Sequence, residues 1–316
     1  DSSYLRWLVA EENLNNILLK KIFDIKRRHR GDVLVAKDGA KILGLISFFQ
    51  LPWSKRLVNL KMAEIGHLVL SGDYSQSLKV GNILLAHIHN LCKERRIQHL
   101  SIKVPTEEFP IIHVLEEAGS IIGTFAYMLN KNQREDDNLE LAKIMDNSFS
   151  RYIVRKFKTR DLDGILHLLE ETRLPMTRYF VDPNIPKESA IKIYREWVKN
   201  CCLKRDADVV LVGLKRATSQ IVGFVSYKSD KQFGDIGILL LTGGLLFTSP
   251  HSIGITSEIM RMAGKNIFSW YTKKRFKFLV AEENVQLYNY PMVKLYQRLG
   301  MQIVRSKLCL HKYFKS

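Results

Sequence analysis

The stretch Asn289-Tyr-Pro-Met-Val-Lys-Leu-Tyr-Gln-Arg-Leu-Gly300 decides the fold of the chain's second half. Its apolar residues recur at helical spacing, at Met292, Leu295, Tyr296 and Leu299. Gly300 follows, as is common after the last turn of a helix. Residues 276–280 (Phe-Lys-Phe-Leu-Val) before it and 301–304 (Met-Gln-Ile-Val) after it are rich in strand-forming side chains. The sequence therefore predicts a strand, a short helix and a second strand.

Tyr296 lies on the apolar face of this predicted helix. At the open end of a sheet, its hydroxyl would be placed to give a proton to a departing group. The alternative is an ordinary core tyrosine, which is the commoner case for an isolated residue of this type. The rest of the chain has to decide between these two roles.

The composition indicates a globular protein of two domains. The chain has 316 residues, of which 46% are hydrophobic and 26% charged. Its four cysteines, Cys92, Cys201, Cys202 and Cys309, have neither a disulfide-framework pattern nor metal-ligand spacing. No run reaches the roughly 20 apolar residues that a membrane-spanning helix needs. We therefore expect a cytoplasmic protein with reduced thiols and no membrane partner.

The formal net charge of +17 favours an anionic partner. The candidates are a phosphate-bearing cofactor, a nucleotide sugar, an acidic carrier protein or nucleic acid. The basic clusters at residues 26–30, 93–96 and 273–275 end predicted helices, where cations also complement the helix dipole. Because no zinc-finger spacing or aromatic–glycine RNA signature accompanies them, we do not expect nucleic acid.

The two halves of the chain repeat one order of elements. Predicted strand pairs occur at residues 32–36 with 42–48, and again at 208–212 with 221–227. Gly44 precedes Gly223 by 179 residues, and Gly119 precedes Gly300 by 181. Landmarks that keep nearly one offset indicate an internal duplication. We expect a first domain at 1–130, a polar linker at 131–150 and a second domain at 151–316.

This order resembles the GNAT superfamily of N-acyltransferases, and the second copy is similar to its TDP-fucosamine acetyltransferase type. The resemblance is carried by residues 177–186 (Thr-Arg-Tyr-Phe-Val-Asp-Pro-Asn-Ile-Pro), 194–197 (Tyr-Arg-Glu-Trp), 289–300 and 308–314 (Leu-Cys-Leu-His-Lys-Tyr-Phe). It implies an α/β fold of two tandem GNAT-like domains. Each would have a mixed, mostly antiparallel sheet flanked by helices.

The resemblance also implies the chemistry. An amine would attack the thioester of acetyl-CoA, and Tyr296 would protonate the departing thiolate. A phenol has a pKa of about 10 and a thiol about 8.5, so the tyrosine would hold its proton at neutral pH. By the same resemblance, the residues that would hold acetyl-CoA are Leu245, Leu246, Phe247, His251, Ser252, Ile253, Gly254, Ile255, Thr256 and Asn289. No general base is identified.

Several family signatures are altered in this chain. The family's phosphate loop has Arg or Gln, two residues, Gly, one residue, then Gly or Ala, but residues 251–256 offer His-Ser-Ile-Gly-Ile-Thr in a loop about two residues short. A β-branched Thr256 stands where a phosphate needs close backbone approach. The first copy has Lys79 at the first glycine position and Leu115 at the tyrosine position. The first copy is therefore expected to be structural or to shape the substrate site.

The acceptor side is expected at Arg178, Tyr179 and Asp182, between two predicted helices. Arginine suits the diphosphate of a nucleotide sugar through bidentate contact, although an ordinary surface loop is an equal alternative. No metal is expected, because His87 and His89 stand two apart on a helix and face different ways.

Three hypotheses follow from these residues. The first is an active N-acyltransferase that acetylates a small-molecule amine, with a nucleotide-linked aminosugar as the candidate acceptor. The second is a degenerate transferase kept as a binding or scaffold module, which the altered loop favours. The third is an acyltransferase that takes its donor from an acyl carrier protein, which the basic surface favours.

Overall fold

The computed structural model describes residues 5–6, 9–28, 31–116, 118–132, 151–172, 174, 177–274, 276 and 278–314. Most of the predicted linker therefore lies outside the described residues. The chain forms two compact units, the first made of Asp1–Phe125 with Arg305–Ser316 and the second of Ala126–Val304. None of the described helices is long and apolar enough to cross a bilayer.

The first half of the chain contains four helices and five strands among its described residues. In chain order they are α1 (Glu11–Arg28), β1 (Asp32–Asp38), β2 (Lys41–Leu51), α2 (Pro52–Val58), β3 (Met62–Leu70), α3 (Tyr74–Glu94), β4 (His99–Pro105), α4 (Phe109–Glu116) and β5 (Ser120–Asn132). The predicted hairpin is confirmed, because β1 pairs antiparallel with β2. Helix α2 was not predicted; it begins at Pro52, a favoured first helical position.

The second half repeats the arrangement. In chain order, the described elements are β6 (Tyr152–Lys156), α5 (Leu162–Thr172), α6 (Arg178–Val181), α7 (Lys187–Cys202), β7 (Val209–Lys215), β8 (Ile221–Ser229), α8 (Lys231–Gly234), β9 (Ile238–Thr248), α9 (Ile255–Lys274), β10 (Phe278–Gln286), α10 (Tyr290–Arg298) and β11 (Gln302–Tyr313). The predicted helix at 289–300 corresponds to α10, and Gly300 adopts the expected left-handed conformation with φ 80°.

Each unit contains a mixed sheet. In the first, the order is β1-β2-β3-β4-β11, and only the β3–β4 pair is parallel. In the second, the order β6-β7-β8-β9-β10 repeats this plan, with β9 and β10 as the parallel pair. The predicted fold class, two mixed and mostly antiparallel sheets flanked by helices, is confirmed.

The paired glycines of the two halves serve the same packing purpose. A Cβ added at Gly44 on β2 would lie 2.8 Å from Val80 Cγ1 of α3. A Cβ added at Gly223 on β8 would likewise lie 2.8 Å from Ile259 Cδ1 of α9. In both units a helix therefore crosses its sheet too closely for any side chain at this position, which explains why the offset is kept.

The observed units differ from the predicted domain boundaries at the C-terminus. Strand β11 pairs antiparallel with β4, from Lys307 opposite Pro105 to Tyr313 opposite His99. Leu310 of β11 joins the hydrophobic core of the first unit. Residues 305–316, which the sequence placed in the second domain, therefore complete the first unit's sheet. Residues 126–132, the second part of β5, group with the second unit instead.

We predict that Leu310→Ala destabilises the first unit, although it changes a residue near the end of the second repeat. Leu310 is 2% exposed, so truncation should cost about 2–5 kcal/mol through lost burial and a cavity. Hydrogen exchange should then accelerate at the amides of β3 and β4. Ile303→Ala on the same strand is the control, since Ile303 is 46% exposed. Faster exchange confined to β9 and β10 would contradict the assignment of β11.

Candidate active site

A parallel strand pair that separates forms the centre of the candidate site. Strands β9 and β10 pair over five positions, from Ile238 opposite Phe278 to Thr242 opposite Glu282. Both strands continue, β9 to Thr248 and β10 to Gln286, but the pairing does not. The edge of β9 beyond Thr242 therefore leaves backbone groups available for another partner.

A β-bulge lies where the two strands separate. The register between β8 and β9 shifts, so that Ser226 faces both Gly244 and Leu245. The Leu245 N–H donates to Ser226 Oγ at 3.0 Å, and the Leu245 side chain is buried. One of the three amides predicted to hold the donor is thus already used inside the protein.

The phase of the β8–β9 ladder identifies which predicted amides face the open edge. The Ser249 N–H donates to Val222 O, and alternate residues of a strand direct their N–H to the same side. Phe247 is in phase with Ser249 and so faces β8, where its ring also stacks on Phe224 at 5.0 Å between centroids. Leu246 is one residue out of phase, so its N–H points to the opposite edge of β9, where β10 no longer pairs.

Tyr296 lies at this same point, on the buried face of α10. Its side chain is 3% exposed and belongs to the core cluster of the second unit. The hydroxyl lies 3.2 Å from Oε2 of Glu283, the residue just beyond the last paired position of β10. Burial and the neighbouring carboxylate raise the pKa of Tyr296 well above its usual value. The tyrosine predicted from the sequence is therefore buried, protonated and close to the separating strands.

Glu283 is the functional residue that sequence reasoning missed. Its side chain is buried, and a Cβ added at Gly243 would overlap its Oε2 at 1.9 Å. The carboxyl therefore occupies the space that Gly243 leaves open. Burial raises the pKa of Glu283 to about 7, and hydrogen bonds from Tyr227 and Tyr296 oppose that rise. We call Tyr227, Glu283 and Tyr296 the carboxyl–phenol cluster.

The first unit has apolar residues at the positions that match this cluster. At the offsets of 179 and 181 that the two glycine pairs define, the counterparts of the cluster are Phe48, Ile102 and Leu115. All three are buried, with at most 5% exposed, and Ile102 and Leu115 join Phe48 in the first unit's core. The same fold therefore packs with three apolar side chains there, and the polar cluster is not a requirement of the architecture.

The backbone of the predicted phosphate loop is arranged as an anion site. Gly254 has φ +84°, a conformation that glycine adopts without strain, and α9 begins at the next residue. The amides of Gly254, Thr256 and Ser257 have no acceptor among the described residues, as expected for the first turn of a helix. Orphan N–H groups at a helix N-terminus favour phosphate. These amides can hold the diphosphate of a nucleotide cofactor.

The side chains of the same loop are less available than its backbone. Ile255 is 1% exposed and packs against the sheet, so it contributes only backbone. The Thr256 hydroxyl pairs with the Thr248 hydroxyl at 2.8 Å. Ser252 Oγ is buried and without a hydrogen-bond partner in the described part of the chain. His251 and Ile253 are exposed, and the Ile253 carbonyl accepts from the Tyr152 hydroxyl at 2.9 Å.

The two units differ at this loop. Strand β3 ends at Leu70 and α3 begins at Tyr74, four residues later, whereas β9 ends at Thr248 and α9 begins at Ile255, seven residues later. The connection is therefore longer in the second unit than in the first, and the shortening expected from the sequence refers to the family's loop. In the first unit, Asp73 accepts a hydrogen bond from the Gln76 amide at 2.8 Å and places a carboxylate at the start of α3. That carboxylate disfavours an anion there.

Asn289 is the last of the residues predicted to hold acetyl-CoA. Asn289 is the N-cap of α10, and its side chain makes no capping hydrogen bond in the described structure. Gln286 lies close by in sequence; its Oε1 is buried and has no partner among the described residues. These two amide side chains are candidates for contacts with a bound molecule at the C-terminal end of β10.

The three predicted acceptor residues lie on or beside α6. Tyr179 is buried, and its hydroxyl accepts from Arg178 Nη2 at 2.7 Å, while the guanidinium also lies 4.6 Å from the ring centroid. Asp182 is 2% exposed and accepts from the Asn184 amide at 2.9 Å. Tyr179 and Asp182 therefore order this segment, and only Arg178 is partly exposed.

Comparison with known proteins agrees with this geometry. Residues 3–136 match the model of the acetyltransferase (GNAT) family. A tandem GNAT protein from the clavulanic acid biosynthesis pathway, solved without AcCoA, superposes with a TM-score of 0.61 at 13% identity, over 90% of this chain and 84% of its own. The family match thus covers the first copy, and the whole chain has the fold of this tandem GNAT structure.

Other solved structures share this fold over most of the chain. A GCN5-related N-acetyltransferase from Sphaerobacter thermophilus gives a TM-score of 0.58 at 10% identity, over 90% of this chain and 81% of its own. A functionally unknown conserved protein from Staphylococcus epidermidis gives 0.52 at 14% identity, over 91% and 96%. No curated protein matches the chain significantly. The family match falls on the copy that has Leu115 where the second has Tyr296, so the match alone does not establish activity.

We predict that Glu283 makes the stability of this protein depend on pH. The folded pKa of about 7 lies above the usual 4.5, so the native state holds the proton more tightly than the unfolded chain. Stability should fall as pH rises from about 4.5 to 7, by up to about 3 kcal/mol. Glu283→Gln should remove that part of the slope.

The measurement is the free energy of unfolding of both proteins from chemical denaturation across this pH range. Glu282→Gln is the control, because Glu282 is partly exposed and should keep the wild-type slope. Parallel curves for wild type and Glu283→Gln would show that the carboxyl is not perturbed as described.

Proposed function

We propose that the chain transfers an acyl group from an acyl-CoA to an amine, with the second unit as the active one. The observation that carries this proposal is the position of Tyr296, buried and protonated where β9 and β10 separate. The first unit has Leu115 there, so it lacks the proton donor. Acetyl-CoA is the proposed donor and the cytoplasm the proposed location.

The backbone of the second unit fits an acyl-CoA in two places. The free amides of Gly254, Thr256 and Ser257 suit its diphosphate, because they converge at a helix N-terminus. The Leu246 N–H on the open edge of β9 suits the amide-bearing arm that connects diphosphate and thioester. When bound, the acyl-CoA supplies an activated carbonyl whose thiolate is a good leaving group. The net charge of +17 favours this anionic donor.

Tyr296 is the proposed proton donor to the departing sulfur. Its pKa is raised above the usual value, so the phenol holds its proton at neutral pH. The O–H bond of Tyr296 would break as the sulfur takes the proton, and the proton lost by the attacking amine would restore it. General acid catalysis of this kind contributes roughly 10²–10⁴-fold.

The proposed acceptor is a small amine that carries negative charge. Arg178 is the partly exposed cation among the three predicted acceptor residues, and a guanidinium binds phosphate groups in a bidentate manner. A nucleotide-linked aminosugar has both the amine and the diphosphate. An acyl carrier protein in place of acyl-CoA is the alternative donor.

We predict that Tyr296→Phe slows thiol release from acetyl-CoA in the presence of amines by about 10²-fold or more, because the donor proton is lost while the ring keeps its packing. Tyr290→Phe is the matched control. Tyr290 lies on the same helix and is 67% exposed, so its loss should leave the rate unchanged.

The assay follows free thiol with a panel of primary amines, including aminosugars linked to nucleotides. Equal rates for wild type and Tyr296→Phe would remove Tyr296 from the mechanism. Turnover with an acylated carrier protein, and none with acetyl-CoA, would support the alternative donor.

A second candidate function is a binding module without catalysis. Two observations favour it: the Leu245 amide is held by Ser226 at 3.0 Å, and the residues of the loop before α9 depart from the family pattern. Both leave fewer contacts for a donor than the family pattern provides. In this case the second unit would bind a nucleotide-bearing molecule and leave it unchanged.

Binding of acetyl-CoA tests for the donor site that both candidate functions require. We predict one binding event per chain by calorimetry, weakened about tenfold or more by Gly254→Val, because a β-branched residue resists φ +84° and would move the loop amides. Gly264→Ala in α9 is the control, since a Cβ there meets nothing within 4 Å. Binding without turnover would favour the second candidate. No binding would contradict both.

A further inference from the structure

We propose that the Glu283 carboxyl, in its protonated form, is a positioning residue that directs the Tyr296 hydroxyl toward the open edge of β9. This inference rests on the proposed function of the second unit and adds a residue to it. It assigns the donor and the acceptor in the buried hydrogen bond between Glu283 and Tyr296. The acid function of Tyr296 then depends on whether Glu283 is protonated.

The contact between the two residues leaves few arrangements. Glu283 Oε2 lies 3.2 Å from the Tyr296 hydroxyl, and both side chains are buried. The same Oε2 lies beside Gly243, where a Cβ would come within 1.9 Å of it. This carboxyl oxygen therefore lies close to both the tyrosine hydroxyl and Gly243, the first residue of β9 beyond the pairing.

A phenol hydroxyl has one proton to donate. When Glu283 is ionised it can only accept, so Tyr296 must donate its proton to the carboxylate, and no proton is left for a departing sulfur. When Glu283 is protonated it can donate to the Tyr296 oxygen. The phenol proton is then free to point elsewhere, and the part of β9 beyond Thr242, which β10 does not pair with, begins at Gly243 beside the same carboxyl.

Charge gives a second reason for the protonated form. As Tyr296 gives up its proton, negative charge develops on its oxygen. A carboxylate 3.2 Å away would place two anions together in a desolvated site, which is strongly unfavourable. A neutral carboxyl that donates a hydrogen bond stabilises the same oxygen. Glu283 keeps its proton throughout, and the proton given to the sulfur is balanced by the one that the amine loses.

The groups that face Glu283 fit this role. Tyr227 from β8 and Tyr296 from α10 are its buried titratable neighbours, and Glu282 precedes it on β10. Within the described residues, no cation faces Glu283 to hold it ionised. Burial raises its pKa to about 7, so protonated and ionised forms both exist near neutral pH. The matching positions of the first unit are apolar, so packing alone does not require this carboxyl.

The test compares the pH dependence of kcat for wild type, Glu283→Gln and Glu283→Ile. A glutamine amide always donates to the phenol oxygen, whereas isoleucine, the residue at the matching position of the first unit, never does. Ionisation of the amine acceptor affects all three profiles equally, so the readout is the ratio of variant to wild type.

We expect wild-type kcat to be lost progressively above about pH 7, relative to Glu283→Gln, as the carboxyl ionises. Glu283→Gln should hold within roughly threefold of the wild type below that pH, exceed it about tenfold one unit above and about a hundredfold two units above. Glu283→Ile should be slower than Glu283→Gln at every pH, because isoleucine donates no hydrogen bond to the phenol oxygen. If Glu283→Gln and wild type keep a constant ratio from pH 6 to about 9, the inference is wrong.

A measurement without substrate checks the same point. The infrared carbonyl band of a protonated carboxyl should be present in the wild type below about pH 7, disappear above it, and be absent from Glu283→Gln. Loss of that band only near the ordinary carboxyl pKa of about 4 would overturn the inference whatever the kinetics.

The kinetic outcomes also separate this inference from the proposed function. Turnover that depends on Tyr296 but shows no change in profile with Glu283→Gln overturns only the role of Glu283. Turnover that does not depend on Tyr296, or no turnover with any amine tested, overturns both.

Discussion

The end of pairing between β9 and β10 is the constraint on which the candidate site depends. Up to Thr242 and Glu282 the two strands satisfy each other's backbone groups, and beyond that point they cannot. Gly243 comes next on one strand and Glu283 on the other, so a carboxyl fills the space that a side chain would otherwise occupy. The unpaired edge of β9, the β-bulge and the buried Tyr296 all lie near this junction. The same junction therefore interrupts the sheet and forms the candidate active site.

The duplication supplies an internal comparison for that junction. Both units have the separating parallel pair, the bulge beside a buried serine and the helix that crosses a glycine. Only the second has Tyr227, Glu283 and Tyr296 where the first has apolar residues of similar size. Burying a carboxyl is unfavourable, and two phenol hydroxyls only partly offset it. Both units have the same fold, and they differ in the side chains at the candidate site.

The sequence predicted the elements well where local signals were strong. The hairpin of β1 and β2 and the helix that Gly300 ends rest on short-range patterns, and the duplication rests on the repetition of such patterns at one offset; the structure contains all three. The partner of β11 could not be predicted, because a strand's periodicity gives its faces and not its neighbour. Glu283 was missed for a related reason. In Ala281-Glu-Glu-Asn-Val285 nothing distinguishes a buried carboxyl from an exposed one until the strand's phase is known.

The altered phosphate loop weighs differently once its geometry is known. Sequence comparison counts side chains, and by that measure only Gly254 is kept. An anion at a helix N-terminus is held by backbone N–H groups, whose identity does not depend on side chains. The loop has a β-branched residue at Thr256, yet Ile255 is buried and the Thr256 hydroxyl pairs with the Thr248 hydroxyl at 2.8 Å. The loop can therefore depart from the family's residue types and still keep its cluster of free amides. The stricter limit on donor binding is the Leu245 amide, which already donates to Ser226.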